Sequence, residues 1–455
     1  MSPNPRPEPG APRAYEFPDT TPFTLGNGLR VLVAPMPRLP LVSVVAVVDA
    51  GASGDAAGHE GLAMLTASAL AEGTADRDAA ALAERFERLG TSIDTGADWD
   101  DATIHLTVTP ARLDEAFALL AEVLMTPRFA PADVARLKAE RLSDLLQQRV
   151  EPRGLADERL AGVTYAASSR FARPAGGTPG SVRALDAATV RGWHDAHYAS
   201  STTTIVVTGD VTPERVHALV EGRLGAWAHA AQPIAAVDVT PRCTSRAVHV
   251  VAKANAQQTE LRVGHVGLPR AHRDYFDVVV MNAVLGGLFS SRINLNLREA
   301  HAYTYGAHSG FDWRRAAGPF AVRTAVKTEV TDAAVREILL EIDRMRETAV
   351  SQDELELATK YLAGVFPIRY ETTDAVAGAL AMAAVYGLDS GYFSAYRQRI
   401  LAVTTADVLA AARAYLHPEQ LQVLAVGDAN AIEGPLAALG LGPMTVTNAD
   451  DGDDA

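Results

Sequence analysis

The chain runs to 455 residues, of which 48% are hydrophobic and 21% charged, and it carries a net charge of −14. It is too long for one ordinary domain and too apolar for a disordered chain, so two or three globular domains are expected. The acidity speaks against a general nucleic-acid binder; it suits a solubilising surface first and an affinity for basic peptides second.

The opening MSPNPRPEPGAPRAYEFPD is proline-rich and polar, without the apolar stretch of a signal peptide, which predicts a cytoplasmic protein. Residues 1–19 read as a disordered tail. A strand is predicted at Leu29–Val33, after the Asn27-Gly28 turn signal, and another at the continuous apolar run Val42–Val48. That run is the longest of its kind and far short of a bilayer span, so no transmembrane segment is expected. Helical periodicity follows at Gly61–Glu72, Ala79–Leu89, Arg112–Leu124 and Pro131–Val150. Residues 231–246, rich in Ala, Pro and polar side chains, read as a linker between domains at 20–230 and 247–445. The single cysteine, Cys243, lies in it, which excludes an internal disulfide and reads as an unpaired thiol. The second domain opens with strands at Ala247–Val251 and Glu260–Val266 and continues with helices at Tyr275–Leu285, Asp332–Thr348 and Gln352–Gly364. Residues 446–455 read as an acidic tail, with Asp450–Asp454 a disordered end.

The two domains repeat one another. Residues 185–210 (LDAATVRGWHDAHYASSTTTIVVTGD) and 403–428 (VTTADVLAAARAYLHPEQLQVLAVGD) each give a capped helix, a strand and a closing Gly-Asp. The fold class expected is α+β: two homologous domains, each a mostly antiparallel sheet with helices packed on one face.

Three segments carry the chemistry. Residues 61–74 read GLAMLTASALAEGT, residues 284–306 read VLGGLFSSRINLNLREAHAYTYG, and KAERLSDLLQQ lies on the helix between them. With TLGNGLRVLV (24–33) and HYASSTTTIVVTGDVTPERV (197–216), they form an ordered set over most of the chain. That set resembles the pitrilysin-like (insulinase) zinc metallopeptidases. The family's pattern at the first segment is G-L-A-H-x-x-E-H-x-x-x-x-G-T. This sequence keeps Gly61, Leu62, Ala63, Gly73 and Thr74, but has Met64 and Ser68 at the two His positions and Ala67 at the Glu position. The family's third ligand is the second of two Glu residues seven apart. Here Glu140 takes the first position and Gln147 the second; a shift of one turn brings in Asp144 instead. A thioether, a hydroxyl, a methyl and an amide do not replace imidazole and carboxylate on zinc, so the resemblance is to a peptidase without its metal.

In the second domain Leu297-Arg298 and Tyr305 match the family's L-R-x(6)-Y, whose Arg and Tyr reach the scissile peptide. The bland reading gives Arg298 a surface ion pair with Glu299 and makes Tyr305 an ordinary strand residue. Gly286, Gly287, Ser290 and Ser291 read as a structural turn ahead of the Arg-bearing helix. His194 and His197, three apart on one helix, have no evident third ligand. His59-Glu60 lacks a second His at metalloprotease spacing, and Gly286-Gly287 lacks the spacing of a phosphate loop.

The resemblance therefore implies the non-catalytic, substrate-positioning subunit of a heterodimer, as in the alpha-type subunit of the mitochondrial processing peptidase and in bacterial two-subunit peptidases. Such a chain holds no cofactor of its own. Zinc sits in a homologous partner, peptides are the substrate, and Arg298 and Tyr305 support the partner's site. The competing expectation is a catalytically inert structural or peptide-binding subunit of a larger complex.

Overall fold

A computed structural model describes residues 15–227 and 230–449. Its first half builds a six-stranded sheet from β1 (Thr21–Thr24), β2 (Arg30–Pro35), β3 (Val42–Val48), β4 (Asp94–Ala97), β5 (Ala102–Val108) and β6 (Thr203–Gly209). The order is β1-β2-β6-β3-β5-β4, antiparallel throughout except for the β2–β6 pair. The second half repeats this with β7 (Ala247–Ala252), β8 (Gln258–Val266), β9 (Ala307–Phe311), β10 (Pro319–Lys327), β11 (Gln422–Gly427) and β12 (Met444–Asn448). There the order is β9-β10-β8-β11-β7-β12, with β7 parallel to both β11 and β12. The repeated segments occupy equivalent places. Helices Ala187–His197 and Thr405–Tyr415 both start in capping boxes, from Asp186 with Thr189 and from Thr404 with Asp407, and each feeds a central strand that ends in Gly.

Strands β3, β6 and β11 are buried at every residue, as their unbroken apolar runs require. A strand buried on both faces needs two covers. The second cover comes from the other half, which no sequence period announces. Helix Thr373–Tyr386 crosses to pack on β3 and β6, and helix Pro152–Thr164 crosses to pack on β8 and β11. Hydrogen bonds pin both crossings. The Thr208 hydroxyl donates to the Thr373 carbonyl at 2.6 Å, and the Tyr165 hydroxyl to that of Ala317 at 2.8 Å. The halves are thus interlocked rather than strung on a linker.

Two boundaries differ from the sequence reading. Tyr15 and Phe17 are not tail: the Tyr15 hydroxyl donates to the Tyr370 carbonyl at 2.9 Å, and Phe17 stacks on Phe393 at 4.4 Å between centroids. Aromatic burial anchors this segment despite its proline-rich surroundings. At the other end β12 carries the second sheet to Asn448, past the expected boundary at 445. Its side chains are mostly exposed, so it lacks the alternation that marks a strand. The predicted end at Asp450–Asp454 lies outside the described residues. Among those described, one 26-residue stretch, Tyr275–Ala300, is long and apolar enough to cross a membrane, and more than half of it is buried in the fold.

Candidate functional site

Residues 61–74 open with the helix Leu62–Ala69, whose start is built around a buried carboxylate. Asp55 accepts from the backbone N–H of Gly61 at 2.8 Å and of Ala63 at 2.9 Å, and pairs with Arg170 at 3.0 Å. Burial pushes the Asp55 carboxyl up and Arg170 opposes it. Removing one partner from such a buried pair costs about 3–5 kcal/mol. Gly61 has φ +95°, and a Cβ there would lie 2.9 Å from the Gly176 carbonyl oxygen. The retained Gly-Leu-Ala therefore shapes the helix entry, a task independent of any metal.

The replaced positions lead into a cavity of about 240 Å³ lined by Met64, Ser68, Glu140, Arg141 and Asp144. On the facing helix, Pro131–Val150, the lining residues Leu137, Glu140, Arg141 and Asp144 recur every three or four positions and so share one face. Gln147 is exposed and lies outside this lining. The structure thus replaces Gln147 by Asp144 as the residue of this helix that meets Met64 and Ser68, a difference of less than one helical turn.

This donor set does not fit zinc. Ala67 is fully buried and offers a methyl. The Ser68 hydroxyl donates to the Met64 carbonyl at 3.0 Å, one turn back on its own helix. Arg141 places a cation in the cavity, its Nε donating to the Gly176 carbonyl at 3.0 Å; burial lowers its pKa and Asp144 opposes the shift. Among the described residues no group of three His, Cys, Asp or Glu side chains is disposed to hold a metal. His194 and His197 diverge: His194 Nε2 lies 2.9 Å from the Leu124 carbonyl and His197 Nδ1 lies 3.2 Å from that of Gln232. Glu60 is buried against Arg173 at 2.5 Å.

Arg298 sits on the helical turn Leu295–Ala300, 3.4 Å from Glu299 and 4.4 Å above the Phe289 ring. Tyr305 lies in the loop before β9, not in the strand, and is 94% exposed. It lines a cavity of about 230 Å³ that does not include Arg298. The two side chains therefore line no common cavity within this chain. A Cβ on Gly286 would fall 2.7 Å from the Ser309 backbone nitrogen, so Gly286 lets its helix approach β9. Ser291 is buried, while Ser290 and Gly287 are exposed.

The sequence reading missed a second feature. Asp98-Trp99-Asp100-Asp101 joins β4 to β5, and Asp312-Trp313-Arg314-Arg315 begins the equivalent turn from β9 to β10. The two turns meet. The Arg314 guanidinium lies 4.1 Å from the Trp99 ring, the Arg315 backbone N–H donates to Asp100 at 2.7 Å, and Arg315 pairs with Asp49 at 2.7 Å. The shared Asp-Trp was the available signal, at a spacing slightly shorter than that of the recognised repeat. On either side of this contact lie a cavity of about 600 Å³ containing Arg153, Arg314 and Arg323 and one of about 460 Å³ containing Asp98, Asp101 and Asp374.

A model of the insulinase family (peptidase family M16) matches residues 30–169, and a model described as the peptidase M16 inactive domain matches residues 184–362. An uncharacterized zinc protease of Mycobacterium bovis is 25% identical over 412 residues, covering 90% of this chain and 93% of that protein. One of Bacillus subtilis is 20% identical over 77% of this chain and 85% of its own length. The crystal structure of a peptidase M16 inactive domain from Pseudomonas fluorescens superposes with a TM-score of 0.84 at 26% identity, covering 90% of this chain and 98% of that one. A protease from Helicobacter pylori has the same fold, with a TM-score of 0.84 at 18% identity over 91% of this chain and all of its own.

Proposed function

Because the chain belongs to the insulinase (M16) peptidase family, we propose that it is the non-catalytic, substrate-positioning subunit of a heterodimeric zinc peptidase. The observation that carries this reading is the cavity between helices Leu62–Ala69 and Pro131–Val150. It keeps the family's helix entry, yet Met64, Ala67 and Ser68 stand at the metal positions and Arg141 adds a positive charge. A homologous partner supplies the zinc. This chain contributes Tyr305, whose phenol is free to donate to a peptide carbonyl, and Arg298, whose guanidinium holds the peptide in register.

The test is reconstitution with an H-x-x-E-H-bearing relative. The pair should hold one zinc rather than two. Arg298→Ala and Tyr305→Phe should each lower peptide turnover by about 10- to 1,000-fold, the range for a single transition-state donor, without preventing assembly. Wild-type turnover by both assembled variants would remove them from catalysis.

A second reading, an inert structural or peptide-binding subunit, is favoured by one observation. Arg298 is already engaged by Glu299 and Phe289 and does not share Tyr305's cavity.

A further inference from the structure

The cavity containing Arg314 and the cavity containing Tyr305 share Arg153, His308 and Arg323, so they form one groove between helix Pro152–Thr164 and the second sheet. Its cations are only partly satisfied. Arg262 is 2% exposed and takes both Asp157, at 2.7 Å, and Glu260, at 2.8 Å. Arg323 is left with the same Asp157 at 3.8 Å. Arg153 is exposed and has no ion-pair partner among the described residues. Arg314 is 6% exposed, and its Nη1 is buried with no hydrogen-bond partner, although Nη2 reaches Asp312 at 2.5 Å. His308 reports the resulting field. Its pKa is lowered, first by burial and then by Arg323, Arg262 and Arg153, with Asp157 opposing. The lining as a whole balances four arginines with Asp157, Glu158, Glu260 and Asp312, but Glu158 is taken by Arg149 at 2.9 Å and Asp157 is shared, so Arg153 and Arg323 are the guanidiniums left least neutralised.

We propose that this groove binds the carboxylates of an acidic peptide segment, with Arg153 and Arg323 as the receiving cations. The assignment rests on the peptide-handling role proposed above and gives it a charge preference, opposite to what overall acidity leads one to expect. Arg262 and Arg323 are cross-strand neighbours on Asp157, while Arg153 and Arg314 stand apart from each other in sequence and bring two further guanidiniums among Glu158, Glu260 and Asp312. Single carboxylates on a peptide can reach Arg153 and Arg323 one at a time, while the dense charge of a nucleic acid would meet the four acids as well. Trp99, half-buried at one end, and Tyr305, exposed at the other, offer aromatic surface to the rest of the peptide.

The experiment is fluorescence anisotropy of the full chain, alone and in the reconstituted pair, with labelled peptides of one length that are Glu-rich, Gln-rich or Lys-rich. The Glu-rich peptide should bind about tenfold more tightly than the Gln-rich one, and Arg153→Gln with Arg323→Gln should abolish that preference while leaving binding of the Gln-rich peptide unchanged. Arg153→Gln alone, at an exposed position, should remove part of the preference and guards against a folding defect in the double variant. Equal affinity for the Glu-rich and Gln-rich peptides would overturn the charge assignment and leave the peptide-handling role standing. Absence of binding by any peptide, alone or in the pair, would remove that role and this inference with it. Full displacement by inorganic phosphate at the concentration of competing peptide would assign the groove to a free anion and overturn the peptide assignment.

Discussion

Under the crossing helix Thr373–Tyr386 the first sheet presents Val45 and its cross-strand neighbour His105; under Pro152–Thr164 the second presents Arg262 and Arg323. These are the same places in the fold, because Val45 also pairs with Val206 and Arg262 with Leu424, each three residues before the Gly that ends its strand. The helices correspond too. Asp374, Ala375, Gly378 and Ala381 line the first cleft in the order and spacing of Arg153, Gly154, Asp157 and Leu160 in the second. Backbone geometry has been kept and charge changed: one cleft is acidic, with Asp98, Asp101 and Asp374, and the other sets Arg153, Arg314 and Arg323 among Asp157, Glu158 and Asp312. The lesson is that helix crossing and strand register depend on small and apolar residues, so polar positions facing the clefts are free to diverge.

The largest effect expected from breaking this comparison is at the paired turns. Arg314 packs between Trp99 at 4.1 Å and Phe171 at 4.4 Å. Arg314→Ala removes a buried cation from two aromatic rings and from Asp312, and should cost about 3 kcal/mol in urea unfolding. Its counterpart Asp100→Ala loses one acceptor but also a carboxyl that burial already pushes up, and should cost about 1 kcal/mol. Equal losses would mean that the two turns are mechanically alike.

Next comes the acidic cleft. Burial, with Asp98 and Asp100 beside it, pushes Asp101 up to about 7. A carboxyl whose folded pKa exceeds its unfolded value binds its proton more tightly when folded, so stability falls as pH rises from about 4 to about 7 and stays low above that. Asp101→Asn should therefore leave stability at pH 4 unchanged and raise it by about 2 kcal/mol at pH 8. Parallel pH–stability curves for variant and wild type would show that this carboxyl ionises at no cost.

The smallest effect expected is at the ion pair between His105 and Asp374, 2.7 Å apart with the Asp side chain 62% exposed. Asp374→Asn should cost no more than about 0.5 kcal/mol at low salt and nothing in concentrated salt. A larger, salt-insensitive loss would mean that this residue anchors the crossing helix rather than colouring the cleft.

Much of this architecture can be read along the chain. Apolar runs mark β3, β6 and β11 because strands buried on both faces admit little else, and capping residues mark the helices of the repeat because unpaired N–H groups need acceptors nearby in sequence. The absence of metal donors at Met64, Ala67 and Ser68 is likewise a matter of side-chain chemistry alone. Other features required the tertiary structure. The choice of Asp144 over Gln147 is a question of which face of a long helix meets another, and three residues are too few for a pattern to settle it. Arg298 and Tyr305 keep their spacing in sequence, yet a helical turn and a loop carry them into different surroundings. The helix exchange, the opposed Asp-Trp turns and the two clefts of different charge join residues more than a hundred positions apart, where no local period links one side chain to the other.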